Sequence, residues 1–128
     1  MGPDENYPDM CSHAKIDMFK TTTYDEYVPY IRPQEFGNHM KTKFASVTDN
    51  TGCGIEFYGD DFNFRVSPFD DDEVEIAEHT PDLTADGRTY IRFDYKTAGL
   101  GSNSCGPLTF EKYHVKGGKI NFDFSFRS

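Results

Sequence analysis

The strongest constraint lies near the end of the sequence, where Ile120, Phe122, Phe124 and Phe126 alternate with Asn121, Asp123, Ser125 and Arg127. A period of two puts successive side chains on opposite faces of an extended chain, so this run predicts a strand with one face in a core and the other in water. The alternation recurs upstream. Met40, Thr42, Phe44 and Ser46 alternate with Lys41, Lys43, Ala45 and Val47, ahead of an Asp49-Asn50-Thr51-Gly52 turn. Ile91, Phe93 and Tyr95 alternate with Arg92, Asp94 and Lys96 after an Asp86-Gly87 turn signal. Cys53–Tyr58 and Asp61–Ser67 read as the arms of a hairpin about Gly59-Asp60, with Phe62, Phe64 and Val66 on one face and Asp61, Asn63 and Arg65 on the other.

One short helix interrupts the strands. Ser67-Pro68 and the acidic run Asp70-Asp71-Asp72 precede Val74, Ile76 and Ala77, and Pro81 closes the segment after about two turns. Residues 1–23 form an irregular lead-in, with two X-Pro steps and no sustained periodicity. The reading is an all-β chain, an antiparallel β-sandwich with one short helix, in a single domain over residues 1–128. Aromatic residues make up 16% of the chain, so few large side chains supply most of the burial. Tyr27, Tyr30, Ile31 and Phe36 have no obvious second sheet to cover them, which suggests part of a larger sandwich.

A formal net charge of −9 repels phosphate backbones and anionic lipid, so neither nucleic-acid binding nor membrane attachment is expected. With no long apolar stretch and no signal-peptide pattern, the chain reads as soluble and cytoplasmic. Cys11, Cys53 and Cys105 are odd in number and form no CxxC, which favours reduced thiols over a disulfide framework or a zinc site.

The chemistry-bearing residues are scattered. Asp70, Asp71, Asp72 and Glu73 lack the alternating positions and the glycine of a calcium loop, and fit better as charges at a helix N-terminus. His13, His39, His79 and His114 make no HExxH or HxH pairing, and His79 is expected at the C-terminal end of the helix. No thiol has a local partner base, and no pair among the 22 Asp and Glu sits in a recognisable catalytic context. The most distinctive feature is the loop Gly99-Leu100-Gly101-Ser102-Asn103-Ser104-Cys105-Gly106-Pro107. Its glycines would let backbone amides approach a ligand, and Ser102, Asn103 and Ser104 carry groups suited to sugar hydroxyls. It reads equally well as a binding loop or as a long hairpin connection.

That loop resembles one near the C-terminus of the large β-galactosidases of glycoside hydrolase family 2. Three further stretches are similar in order and spacing: Gly2-Pro3-Asp4-Glu5-Asn6-Tyr7-Pro8-Asp9, like GPxENYPD; Tyr30-Ile31-Arg32-Pro33-Gln34-Glu35-Phe36-Gly37-Asn38, like YxxPxExGN; and His79 with Leu83, like HxxxL. The resemblance implies the C-terminal small-chain domain, domain 5, and within it the second half of a galactose-mutarotase-like supersandwich. The parent enzyme would hydrolyse terminal β-D-galactosides such as lactose, with its catalytic glutamates in a central barrel domain that this chain does not include. No catalytic residue is therefore assigned here. The family's magnesium and sodium are bound by other domains, so no cofactor or metal is assigned either. Ser102, Asn103, Ser104 and Cys105 are the substrate-binding positions it implies, on the aglycone side. Some members carry a stacking tryptophan in this loop; the nearest equivalent here is Cys105, so small polar contacts replace stacking. The implied partners are the remainder of the β-galactosidase chain or its large subunit, a galactoside substrate, and further copies in an oligomeric parent. The rival reading is a free-standing carbohydrate-binding β-sandwich module, against which stands the absence of any Trp for a sugar platform.

Overall fold

The computed structural model describes residues 1–101 and 108–128. Strands β1 (His39–Thr48), β2 (Gly54–Ser67), β3 (Tyr90–Asp94) and β4 (Phe124–Arg127) form one four-stranded antiparallel sheet, and helix α1 (Asp71–Ile76) follows β2. The 14-residue β2 is the centre of this sheet. β1 runs along one edge of it, while the other edge is shared end to end: β4 pairs with Glu56–Gly59 and β3 with Asn63–Ser67.

The expected hairpin about Gly59-Asp60 is not formed, because β2 continues through it as a single strand. Asp61 adopts φ 57°, and the pairing with β1 jumps from Thr42↔Phe62 to Phe44↔Tyr58. This is a β-bulge, which bends and twists a strand without reversing it; aspartate tolerates the left-handed conformation better than most residues. The bulge also shifts the phase of the alternation. Ile55 and Phe57 before it, and Phe62, Phe64 and Val66 after it, therefore reach the same face and join one cluster. A change of phase looks like a turn in sequence, but here it keeps one face apolar along the whole strand.

That face carries the aromatic core. Phe62 is fully buried and stacks on Phe93, with ring centroids 4.2 Å apart, and Phe57 and Phe64 complete the buried cluster. The last strand is shorter than its alternation suggests, since β4 begins only at Phe124. Its expected core face is also not buried here: Ile120, Phe124 and Phe126 remain exposed, although Phe122 packs against the cluster. Among the described residues no second sheet lies over them.

The opposite face of β2 is covered rather than solvated. Asn63, Arg65 and Ser67 are buried there. Phe36, from the segment leading into β1, is buried under the Arg65 guanidinium, which lies 5.1 Å from its ring centroid. Tyr27 bridges Phe36 and Phe69 edge-on, with centroid distances of 5.0 and 5.1 Å. The expectation that Tyr27, Tyr30, Ile31 and Phe36 lie uncovered therefore holds only for Ile31, which is 93% exposed. The irregular segment between the lead-in and β1 lies across the sheet and supplies cover for which no second sheet was apparent in the sequence.

Helix α1 begins as the acidic run predicts: Asp70 caps it by accepting from the Asp72 N–H at 2.9 Å, and Asp71, Asp72 and Glu73 fill its first turn. It ends at Ile76, earlier than expected, so His79 is not at its C-terminus. His79 instead precedes a 3₁₀ turn, Thr80–Asp82, where the Asp82 carboxylate accepts from the backbone N–H groups of Glu78 and His79. Pro81 sits comfortably in the first turn of that new element, which explains why it follows rather than ends the helix.

Candidate functional site

The two sequence stretches richest in motif residues meet over the polar face of β2. Asn6 N–H donates to the Asn38 carbonyl at 2.7 Å, and the Asn38 side-chain amide donates to the Asn6 carbonyl at 2.7 Å. The Asn6 side chain accepts from Met40 N–H at 2.9 Å. The Glu5 carboxylate accepts from the Tyr30 hydroxyl and from Gly37 N–H, the latter at 2.7 Å. Gly37 has φ 68°, and a side chain there would press on the Glu26 carbonyl at 3.0 Å, so both its conformation and its surroundings call for glycine. Satisfied asparagines in a dry interior act as rivets, because breaking either bond strands a buried polar group.

Glu26 and His39 form a second joint in this layer. The ring Nε2 lies 2.6 Å from the Glu26 carboxylate, and Nδ1 lies 2.9 Å from the Met1 carbonyl. Burial works against a charged ring, but the Glu26 hydrogen bond and charge outweigh it and hold the His39 pKa above the ordinary imidazole value. A pKa raised on folding stabilises the protonated native state fully below about 6.5, and that stability is lost as pH rises through the folded-state value. Urea midpoints should therefore fall as the pH is raised from about 5.5 to about 8.5. His39→Gln should flatten that slope; an unchanged slope in the variant would show that His39 is not its source.

The glycine-rich loop leaves the sheet after β3, and its stem is held by Asp9 of the first motif. One Asp9 carboxylate oxygen accepts from Leu100 N–H and the other from Gly101 N–H, both at 2.8 Å. Gly99 N–H donates to the Tyr113 carbonyl at 3.2 Å, and the Thr109 hydroxyl donates to the Gly99 carbonyl at 3.0 Å, tying the outgoing leg to the returning one. The need for glycine comes from this packing. A Cβ on Gly99 would lie 2.5 Å from Thr109 Cγ2 and 2.7 Å from Asp9 Cγ; on Gly101, where φ is 64°, it would lie 2.5 Å from the Thr109 hydroxyl. The amides of Leu100 and Gly101 are thus committed to Asp9 rather than open to a ligand. Ser102, Asn103, Ser104 and Cys105 lie outside the described residues.

The other candidates resolve into structural roles. Glu5 is used as above, and Glu35 pairs with Arg65 and Arg92. A shallow pocket of about 280 Å³ is lined by Asp4, Glu5, Phe19, Lys20, Asp25 and Glu26 among others, but its Glu5 and Glu26 already have partners. His13 contacts the Glu5 carbonyl and His114 the Thr109 carbonyl, each at 3.0 Å. Cys11 and Cys53 are free thiols, and Cys105 lies outside the described residues. Among the described residues no group of three or more His, Cys, Asp or Glu is arranged to hold a metal ion. Among them, too, no helix is long and apolar enough to cross a membrane. Sequence reasoning missed the role of Asp9, because no local pattern links it to a loop some ninety residues away; the only trace was the Gly-Leu-Gly spacing, read as an approach to a ligand.

Comparison with known proteins places this architecture. Residues 1–127 match the family described as the β-galactosidase small chain. A β-galactosidase of Kluyveromyces lactis is 34% identical over 96% of the chain, one of Staphylococcus xylosus 32% over 98%, and one of Actinobacillus pleuropneumoniae 30% over 98%. The chain spans only 12–13% of the length of these relatives. A match along nearly the whole chain, including the Asp9-bearing motif and the loop it holds, shows that this chain belongs to the β-galactosidase small-chain family.

Proposed function

We propose that this chain is the C-terminal, non-catalytic part of a cytoplasmic, oligomeric β-galactosidase that hydrolyses terminal β-D-galactosides such as lactose. The observation that carries the reading is the family match over residues 1–127. The retaining, two-carboxylate chemistry then belongs to the remainder of the enzyme, on the same chain or on a large subunit, and this segment completes the wall of the sugar pocket. The wall is the loop Ser102–Cys105, on the aglycone side, where hydroxyl and amide groups meet the leaving sugar. The clamped loop stem supports this assignment, because a loop that contributes to a pocket needs a rigid base. The exposed Ile120, Phe124 and Phe126 support a place as half of a larger sandwich, with the rest of the enzyme covering the open aromatic face.

The test is complementation. A family member truncated before this segment is assayed on a chromogenic β-galactoside, with and without the purified 128-residue chain. Restored hydrolysis is the expected result. A folded chain that restores nothing, yet binds lactose alone, would support a free-standing carbohydrate-binding module instead.

A further inference from the structure

We infer that Tyr7, Glu35 and Arg65 form a closed binding site for one internal water molecule, which joins the Gly2–Asp9 stretch to the Arg65–Glu35 ion pair on the polar face of β2. Three polar atoms sealed from solvent have no hydrogen-bond partner among the described residues: Tyr7 Oη, Glu35 Oε1 and Arg65 Nε. The same short segment carries them together. Arg65 Nη1 donates to the other Glu35 oxygen, Oε2, at 3.1 Å. A side chain on Gly37 would lie 3.7 Å from Arg65 Cγ, and Asn38 is tied to Asn6, next to Tyr7, by a bond in each direction. Residues 35–38 thus reach both the guanidinium and the stretch that holds the tyrosine. Tyr7 is 1% exposed and Arg65 3%, so a group that meets these atoms has to be small enough to be enclosed.

The donors and acceptors then select the ligand. Burial raises the Tyr7 pKa, and Glu35 followed by Glu5 raises it further, so the hydroxyl keeps its proton. The Asn38 N–H faces that hydroxyl and opposes the shift without making a bond of normal geometry. Tyr7 O–H and Arg65 Nε–H are therefore donors, and Glu35 Oε1 is an acceptor. A sodium or ammonium ion cannot accept from an N–H group, and a halide cannot donate to a carboxylate. Water does both: it accepts from Tyr7 and Arg65 and donates to Glu35. Three bonds are the usual complement of a buried water, and they spare a charged pair the cost of unpaired atoms in a dry interior.

The experiment is a high-resolution structure of the complete protein that carries this chain, unaltered and as Tyr7→Phe. In the unaltered protein one ordered solvent peak is expected within about 3.2 Å of Tyr7 Oη, Glu35 Oε1 and Arg65 Nε together. Tyr7→Phe keeps the ring and removes one of the three partners, so the peak should fall by about half or more relative to neighbouring main-chain atoms. Crystals soaked in rubidium bromide should show no anomalous signal at the site. The unaltered structure decides the matter even if the variant does not fold. The Tyr7 hydroxyl bonded directly to Glu35 Oε1, no peak at the site, or an anomalous rubidium or bromide signal there would each overturn the assignment. A peak of unchanged height in Tyr7→Phe would remove Tyr7 from the site and overturn it as well.

Discussion

Phe62→Ala is expected to destabilise the chain by about 3–5 kcal/mol, read as a lower urea midpoint at unchanged slope. Phe62 has no exposed surface and is stacked on Phe93 at 4.2 Å, with Phe64 edge-on at 6.3 Å. Its ring also lies near the bulge, where a Cβ on Gly59 would approach it to 3.2 Å. Truncation therefore leaves a cavity whose walls are other rigid rings and a bent backbone, none of which can collapse inward at low cost. Small domains are stable by only about 5–15 kcal/mol, so a loss of this size threatens folding at physiological temperature. A cost below about 1 kcal/mol would mean that the aromatic face is loosely packed, against the geometry described.

Arg65→Met is expected to cost about 3 kcal/mol, for a different reason. Arg65 and Arg92 are direct partners across β2 and β3, an arrangement in which like charges repel. Glu35 and Asp71 offset that repulsion. Arg65 binds both acids, through Nη1 and Nη2, and Arg92 binds the same two, with its Nη2 2.5 Å from Asp71. The result is a closed ring of two cations and two anions, bringing together the segment ahead of β1, strands β2 and β3 and the first turn of α1. Arg65 is 3% exposed, and burial pushes its pKa down while Glu35 opposes the shift. Its partners are about a third or more exposed, which keeps the expected cost at the lower end for a broken buried pair. Arg65→Lys should recover little, because one ammonium cannot reach both acids as a planar fork does. A stability equal to that of the unaltered chain in Arg65→Met would show that the ring contributes nothing net.

Much of the sheet was legible because strand alternation depends on nearest neighbours only. The positions of β1 and β3, the turn at Asp49–Gly52 and the acidic start of α1 all follow from patterns a few residues long, although β3 ends at Asp94, before the alternation does. The hairpin reading failed because a bulge and a turn leave the same local trace, a glycine and aspartates with a change of phase. Only the pairing of β1 along both halves of β2 separates them. The burial of Phe36 and Arg65 was equally hidden, since it depends on how an irregular segment with no periodicity lies across the sheet.

The loop shows the same division. Its glycines, hydroxyls and amide marked residues 99–107 as unusual from the sequence alone, and the motif order indicated the family. The sequence thus determined the β class, the location of the short helix and the stretches that matter, because these are encoded in residue type and short-range period. The tertiary structure decided what the glycines are for and which carboxylate holds the loop. A bond between Asp9 and the amides of Leu100 and Gly101 exists only once the chain has brought its beginning and its end together, and no local pattern carries that distance.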